Sequence, residues 1–187
     1  MLRPIHVLLT VLVALASTAC LGTGSSINAY GGVRSLDSED FYGVDDQKVY
    51  GADAVLKLEI PWLAVEGGWL HSQDDTSSAG QLLDAELGID EYFVGLRVTP
   101  WTFLVEPYGA VGVGLVDGDL DATVSGQQAG DTDSALGYYA RVGAAIRFGL
   151  LRLGLDGRAG FSGDLDLQAV ESDVNNYQLT AFIGLAF

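Results

Sequence analysis

Three groups of residues in this chain have types and spacings that could do chemistry. His71-Ser72, followed by Asp74 and Asp75, offers a base, a hydroxyl nucleophile and carboxylates, the parts of a hydrolase. Asp117-Gly118-Asp119-Leu120-Asp121 sets three carboxylates on one side of an extended segment, where calcium or magnesium could be held. Cys20 follows the apolar run Ile5 to Ala16 and the small residues Ser17-Thr18-Ala19, a position in which a thiol can be acylated. The first group fails on geometry: adjacent residues of a strand point to opposite faces, so His71 and Ser72 cannot meet, and no catalytic residues are expected. The second departs from an EF-hand, with Ala122 where that loop needs Gly and Gln128 where it needs a bidentate Glu. It remains a candidate acidic site and no more. Zinc is not expected, because His6 belongs to the leader and His71 and Cys20 are then the only His and Cys left.

The N-terminal segment sets the compartment. Met1-Leu2-Arg3, an apolar core and small residues have the order of an export signal, so residues 1–19 read as a signal peptide, 20–25 as a short linker and 26–187 as one domain. The apolar run is shorter than the roughly 20 residues of a transmembrane helix, and no later stretch supplies one. Membrane residence would have to come from strands. With Ser17 where a lipobox carries Leu, Val or Ile, ordinary cleavage after Ala19 and acylation of Cys20 both fit. A single cysteine permits no intrachain disulfide.

Composition presents a conflict that only segregation can resolve. The formal charge is -16, yet 49% of residues are hydrophobic and there are 25 glycines against 4 prolines. A chain so acidic with so much apolar surface must keep the two apart. There is no basic patch of the kind that binds nucleic acid.

Period-two alternation recurs eight times and marks where they part. The candidate strands are Ser26 to Arg34, Lys48 to Glu59, Trp62 to His71, Glu91 to Thr99, Phe103 to Val116, Ala135 to Phe148, Leu150 to Ser162 and Asn175 to Phe187. Each is long enough to cross a hydrocarbon layer as a tilted strand. Tight turns at Ile60-Pro61, Pro100-Trp101-Thr102 and Gly149 alternate with long connections at Ser35 to Gln47, Ser72 to Asp90, Asp117 to Ser134 and Gly163 to Val174. One face of the strands is uncharged and apolar, as in Leu136, Tyr138, Ala140, Val142, Ala144, Ile146 and Phe148. The opposite face takes Asp53, Lys57, Glu59, Glu66, Glu91, Arg97, Glu106, Arg141, Arg147, Arg152, Asp156 and Arg158. Acids and bases balance there, so an interior network of ion pairs is expected, in a lumen that eight strands leave just wide enough for side chains. The remaining acids fall in the long connections, flanked only by Arg34 and Lys48. Aromatics divide into two levels, Trp62, Trp101, Phe103, Phe148 and Phe187 near the tight turns and Trp69, Tyr92, Tyr138, Phe161 and Tyr177 near the long loops.

The final segment carries the most specific likeness. Tyr177, Leu179, Ala181, Ile183, Leu185 and Phe187 form an apolar stripe that ends on an aromatic. It resembles the closing strand of bacterial outer-membrane β-barrels, and the chain from residue 26 onward resembles the small barrel domains of the outer-membrane protein A type. The resemblance implies that Tyr177, Leu179, Ile183, Leu185 and Phe187 are read by the barrel-assembly machinery. It further implies an all-β, eight-stranded antiparallel up-and-down transmembrane barrel in the outer membrane, with short periplasmic turns, periplasmic termini and four long extracellular loops. Expected partners are outer-membrane lipid, that machinery and an extracellular partner of unknown identity. A monomer without nucleic acid or cofactor is expected, with calcium or magnesium at the acidic loops as the one candidate ligand. The leading functional expectation is a non-enzymatic structural or surface-interaction barrel. The alternatives are a narrow channel for small solutes and a lipid-modifying enzyme, although deacylase-type barrels separate their His and Ser by one residue and this chain does not. Metabolic labelling with palmitate decides between the two N-terminal readings: acylation predicts a label that Cys20→Ala abolishes, and simple cleavage predicts none.

Overall fold

The computed structural model describes residues 24–36, 46–73, 83–101, 104–124, 127–162, 165–167, 170–172 and 175–187. The expected signal peptide, Cys20, Asp74, Asp75 and Phe103 lie outside the described residues. The strands are β1 (Ser26–Leu36), β2 (Asp46–Lys57), β3 (Leu63–Gln73), β4 (Leu83–Val98), β5 (Val105–Val124), β6 (Gln127–Phe148), β7 (Leu151–Ser162), β8 (Leu165–Leu167), β9 (Val170–Ser172) and β10 (Asn176–Ala186). Eight of them close into a barrel in the order β1-β10-β7-β6-β5-β4-β3-β2, while β8 and β9 form a separate two-stranded ribbon. Every neighbouring pair in the barrel is antiparallel, and closure is made by β1 on β10, from Ser26 opposite Ala186 to Leu36 opposite Asn176. The ring leaves no unpaired edge, which is the condition for strands to sit in hydrocarbon.

The alternation sorts side chains as the sequence leads one to expect. Along β10 burial alternates at every residue, with Tyr177, Leu179, Ala181, Ile183 and Leu185 outward. Large apolar side chains cover the outside of the wall: Val142 is 68% exposed and Leu155 63%. A contiguous apolar belt of this kind marks a surface meant for something other than water. Among the described aromatics of the two levels, Trp62, Trp101, Phe148, Tyr138, Phe161 and Tyr177 are exposed on this outer surface.

The strands outrun their apolar segments on the long-loop side. Asp117 to Ser134, read from the sequence as a loop, is a continuation of the β5–β6 hairpin, paired from Asp117 opposite Ser134 to Val124 opposite Gln127. Asp117, Asp119 and Asp121 are therefore strand residues of β5, and their neighbours across β4 are Asp90, Gly88 and Glu86. The physical reason is that apolar alternation ends where the apolar environment ends, whereas the backbone ladder needs no hydrophobic side chain to continue. β4 likewise begins at Leu83, eight residues before the alternation at Glu91.

Turns at the opposite rim are tight. Leu63 N donates to Ile60 O at 3.0 Å, closing the Pro61 turn, and Gly149 links β6 to β7 with φ of 62°, a left-handed conformation that costs glycine nothing. This Pro61 turn ends β2 at Lys57, so Glu59, expected on the inner face, is exposed beyond the strand. Glycine serves differently inside the wall. A Cβ on Gly112 would stand 2.5 Å from Tyr139 Cε1, and one on Gly95 would also collide with Tyr139, so the two glycines form the notch that admits its ring. Gly112→Val is expected to lose about 1–3 kcal/mol of stability, measured by urea unfolding of the barrel refolded into lipid vesicles.

Candidate functional site

Alternation sends ten charged side chains of the described residues into the barrel, and they cancel. Arg34, Arg97, Arg141, Arg152 and Arg158 are buried together with Asp53, Glu66, Glu91, Glu106 and Asp156. Register stacks them in three levels along the lumen. Toward the long loops, Arg34 Nη2 donates to Glu91 Oε2 at 2.6 Å and Nη1 to Ser72 Oγ at 2.9 Å, while Arg158 Nη2 bonds the other oxygen of Glu91. At mid-height, Arg141 bridges Asp53 at 3.0 Å and Asp156 at 2.7 Å. Near the tight turns, Arg152 Nε donates to Glu106 at 3.0 Å and Nη1 to Ser26 Oγ at 3.1 Å.

Neutral donors complete the acceptors. Asn28 Nδ2 and Tyr30 Oη donate to Asp53 at 2.6 and 2.5 Å, Tyr108 Oη and Thr180 Oγ1 to Asp156 at 2.9 Å each, and Tyr139 Oη to Glu66 at 2.8 Å. Such satisfaction is what makes a buried carboxylate tolerable. Aromatic rings fill the space between and present their faces to cations, with Arg97 Cζ 3.3 Å from the Tyr108 centroid and Arg158 Cζ 4.0 Å from that of Tyr139. The cavity between Tyr30, Leu70, Arg141, Asp156 and Arg158 is about 10 Å³, roughly one water.

Of the interior residues expected from the sequence, nine lie in this buried set: Asp53, Glu66, Glu91, Arg97, Glu106, Arg141, Arg152, Asp156 and Arg158. Three do not. Lys57 is half-buried at the end of β2, Arg147 is half-buried with its Nε donating to Gly149 O at 3.0 Å, and Glu59 is exposed. All three sit at the tight-turn rim, where the lumen opens and alternation no longer separates inside from outside. Arg34 takes a place in the network that the sequence reading assigned to a loop flank. Its parity with Asn28 and Tyr30, against outward Ile27 and Val33, was the available signal.

His71 and Ser72 are separated by the wall. Ser72 is buried against Arg34, whereas His71 is on the outer side, its Nδ1 3.0 Å from Asp90 Oδ1, and Trp69 Nε1 donates to the same oxygen at 2.8 Å. Tyr50 closes this outer cluster, 5.0 Å from the His71 ring and 5.9 Å from that of Trp69. Asp117 is half-buried on β5 opposite Asp90, and among the described residues no group of three or more His, Cys, Asp or Glu is arranged to hold a metal ion.

No protein-family model matches the chain, and no curated protein matches it in sequence. Solved structures do match. Ail, the attachment invasion locus protein of Yersinia pestis, superposes with a TM-score of 0.63 at 18% identity over 89% of this chain and 100% of that one. Neisserial surface protein A gives 0.64 at 14% identity, covering 88% of this chain and 98% of its own. The N-terminal barrel domain of Pseudomonas aeruginosa OprF gives 0.54 at 11% identity, covering 89% and 100%. The fold is that of the small eight-stranded outer-membrane β-barrels. At these identities what the chain has in common with them is the architecture.

The central pairs set the sensitivity of the barrel. Arg141→Leu would strand Asp53 and Asp156 without their cation, with an expected loss of about 3–5 kcal/mol. Arg147→Leu, at the rim, should stay within about 0.5 kcal/mol of the parent. Urea unfolding in vesicles measures both.

Proposed function

We propose that this chain is a non-enzymatic barrel of the bacterial outer membrane, closed to solutes by its interior ion pairs and acting through its acidic long-loop rim. The observation that carries the reading is the inversion of the two faces: an uncharged apolar belt outside, a neutral network of charge inside. A water-soluble barrel would place these the other way round. In this reading the tight turns and both termini face the periplasm and the long loops face outward. The export signal and the alternating, aromatic-ended final strand support that orientation.

The partner argued for is basic or a divalent cation. Ail has been crystallised with the heparin analogue sucrose octasulfate, a polyanion. The long-loop half of this chain is acidic: its long connections and strand extensions hold Asp37, Glu39, Asp40, Asp45, Asp46, Asp74, Asp75, Asp84, Glu86, Asp90 and the acids of 117–133 and 164–173, against Lys48. A rim of that sign repels sulfated ligands and attracts cationic ones.

Three measurements test the proposal. The protein should fractionate with the outer membrane and migrate differently before and after heating; recovery in the soluble fraction after export would overturn it. In planar bilayers it should conduct no steady current, because Arg141 and its partners Asp53 and Asp156 occupy the lumen at mid-height. Leu155→Arg, on the outer belt, should cost about 2–4 kcal/mol in vesicles, and a neutral effect would mean that this surface does not face lipid.

A further inference from the structure

The tight-turn mouth of the lumen is a cavity of about 240 Å³, lined among others by Lys57, Trp62, Arg97, Glu106, Arg147 and Arg152. Its charge is one-sided. Arg152 and Glu106 pair with each other at 3.0 Å and cancel, and Arg97 is balanced by Glu66, which leaves Lys57 and Arg147 as the cations facing the same space. Glu59 is not part of the lining. A molecule otherwise rich in carboxylates thus gathers two uncancelled cations, Lys57 and Arg147, at one mouth.

Arg97 supplies the second observation. Its side chain is 1% exposed, yet Nε, Nη1 and Nη2 all lack a hydrogen-bond acceptor among the described residues. Glu66 Oε2 lies 3.6 Å from Nη1, an ion pair that balances the charge of Arg97 but is too long for a hydrogen bond, while Glu66 Oε1 accepts from Tyr139. A buried guanidinium ordinarily finds acceptors, and one stacked at 3.3 Å over the Tyr108 ring is held in a fixed orientation. Its planar fork is matched to the oxygens of a phosphate or carboxylate group.

We propose that this mouth is a binding site for a small phosphate-bearing anion, with Arg97 as the bidentate donor at the floor and Lys57 and Arg147 as the cations at the entrance. A dianion answers the two entrance cations, Lys57 and Arg147, better than a monocarboxylate, and the cavity of about 240 Å³ has room for a phosphate group with a short polar substituent. The same chemistry is available from a soluble phosphate ester and from the headgroup of an anionic phospholipid at the rim, beside the exposed Trp62 ring.

Calorimetric titration of the full-length barrel, folded in a maltoside micelle, with inorganic phosphate and with glycerol 3-phosphate tests the site. Saturable binding is expected, weakened about tenfold or more in Arg97→Gln. Since Arg97 is buried and that variant could fail to fold, Lys57→Gln with Arg147→Gln provides the independent reading: both are at the rim, heat-modifiable mobility verifies folding, and a loss of tenfold or more is again expected. Absence of saturable binding, or binding that the rim double variant leaves unchanged, overturns the proposal. Reconstitution into nanodiscs identifies the source: phosphate binding lost with phosphatidylglycerol but kept with phosphatidylcholine assigns the site to a lipid headgroup, and binding kept in both assigns it to a soluble phosphate.

Discussion

Eight strands leave a ring too narrow for anything but side chains in contact, and that constraint governs the rest of this structure. Whatever faces inward must be packed against its neighbours and, where charged, paired. Five guanidinium groups and five carboxylates meet the requirement by cancelling within the described lumen. Aromatic residues complete the packing, since the rings of Tyr30, Tyr108 and Tyr139 fill volume and their hydroxyls donate to Asp53, Asp156 and Glu66. The wall yields to the filling in turn. Gly95 and Gly112 are where they are because Tyr139 occupies the space that their side chains would take.

The outer face follows from the same ring by the period of two. A strand whose alternate residues enter a polar core must present the others to the surroundings, and here those others are Val, Leu, Ile, Phe and Tyr. In hydrocarbon the backbone has no water to turn to, so closure of β1 on β10 contributes as much to the fold as any side chain. Ser26 to Ser35 are paired on both sides, with β10 and with β2, and no strand of the ring is left at an edge.

Much of this was legible because two signals coincided. Alternation identified the strands and their parity, and the tight turns at Pro61 and Gly149 set the connectivity, so the strands and nine of the buried charges could be read from residue type alone. What could not be read has a common origin at the two rims. Apolar alternation marks the extent of the apolar environment, so it stopped at Val116 although the β5–β6 ladder runs to Val124 and Gln127. Lys57, Glu59 and Arg147 carried the right parity but stand where the lumen opens. Arg34 was hidden by its place beside an acidic stretch, although the parity of β1 includes it. The inward rings escaped because an aromatic on a strand fits a lipid-facing and a core position equally well, and only the outward Leu, Val or Ile on either side distinguishes them.

Neutrality of the interior also decides where the remaining charge must go. With the buried set cancelled, the excess of acids over bases in the chain has to appear at the ends of the barrel, and the ends differ. Toward the long loops, Asp90 lies opposite Asp117 in the β4–β5 ladder, an arrangement that like-charge repulsion disfavours on adjacent strands. The backbone hydrogen bonds of the extended hairpin must outweigh that repulsion. At the tight turns Lys57 and Arg147 line the mouth, and Glu59 is exposed on the same rim. The excess of acids therefore belongs to the long-loop end. The middle is compelled to balance, and the rims are not.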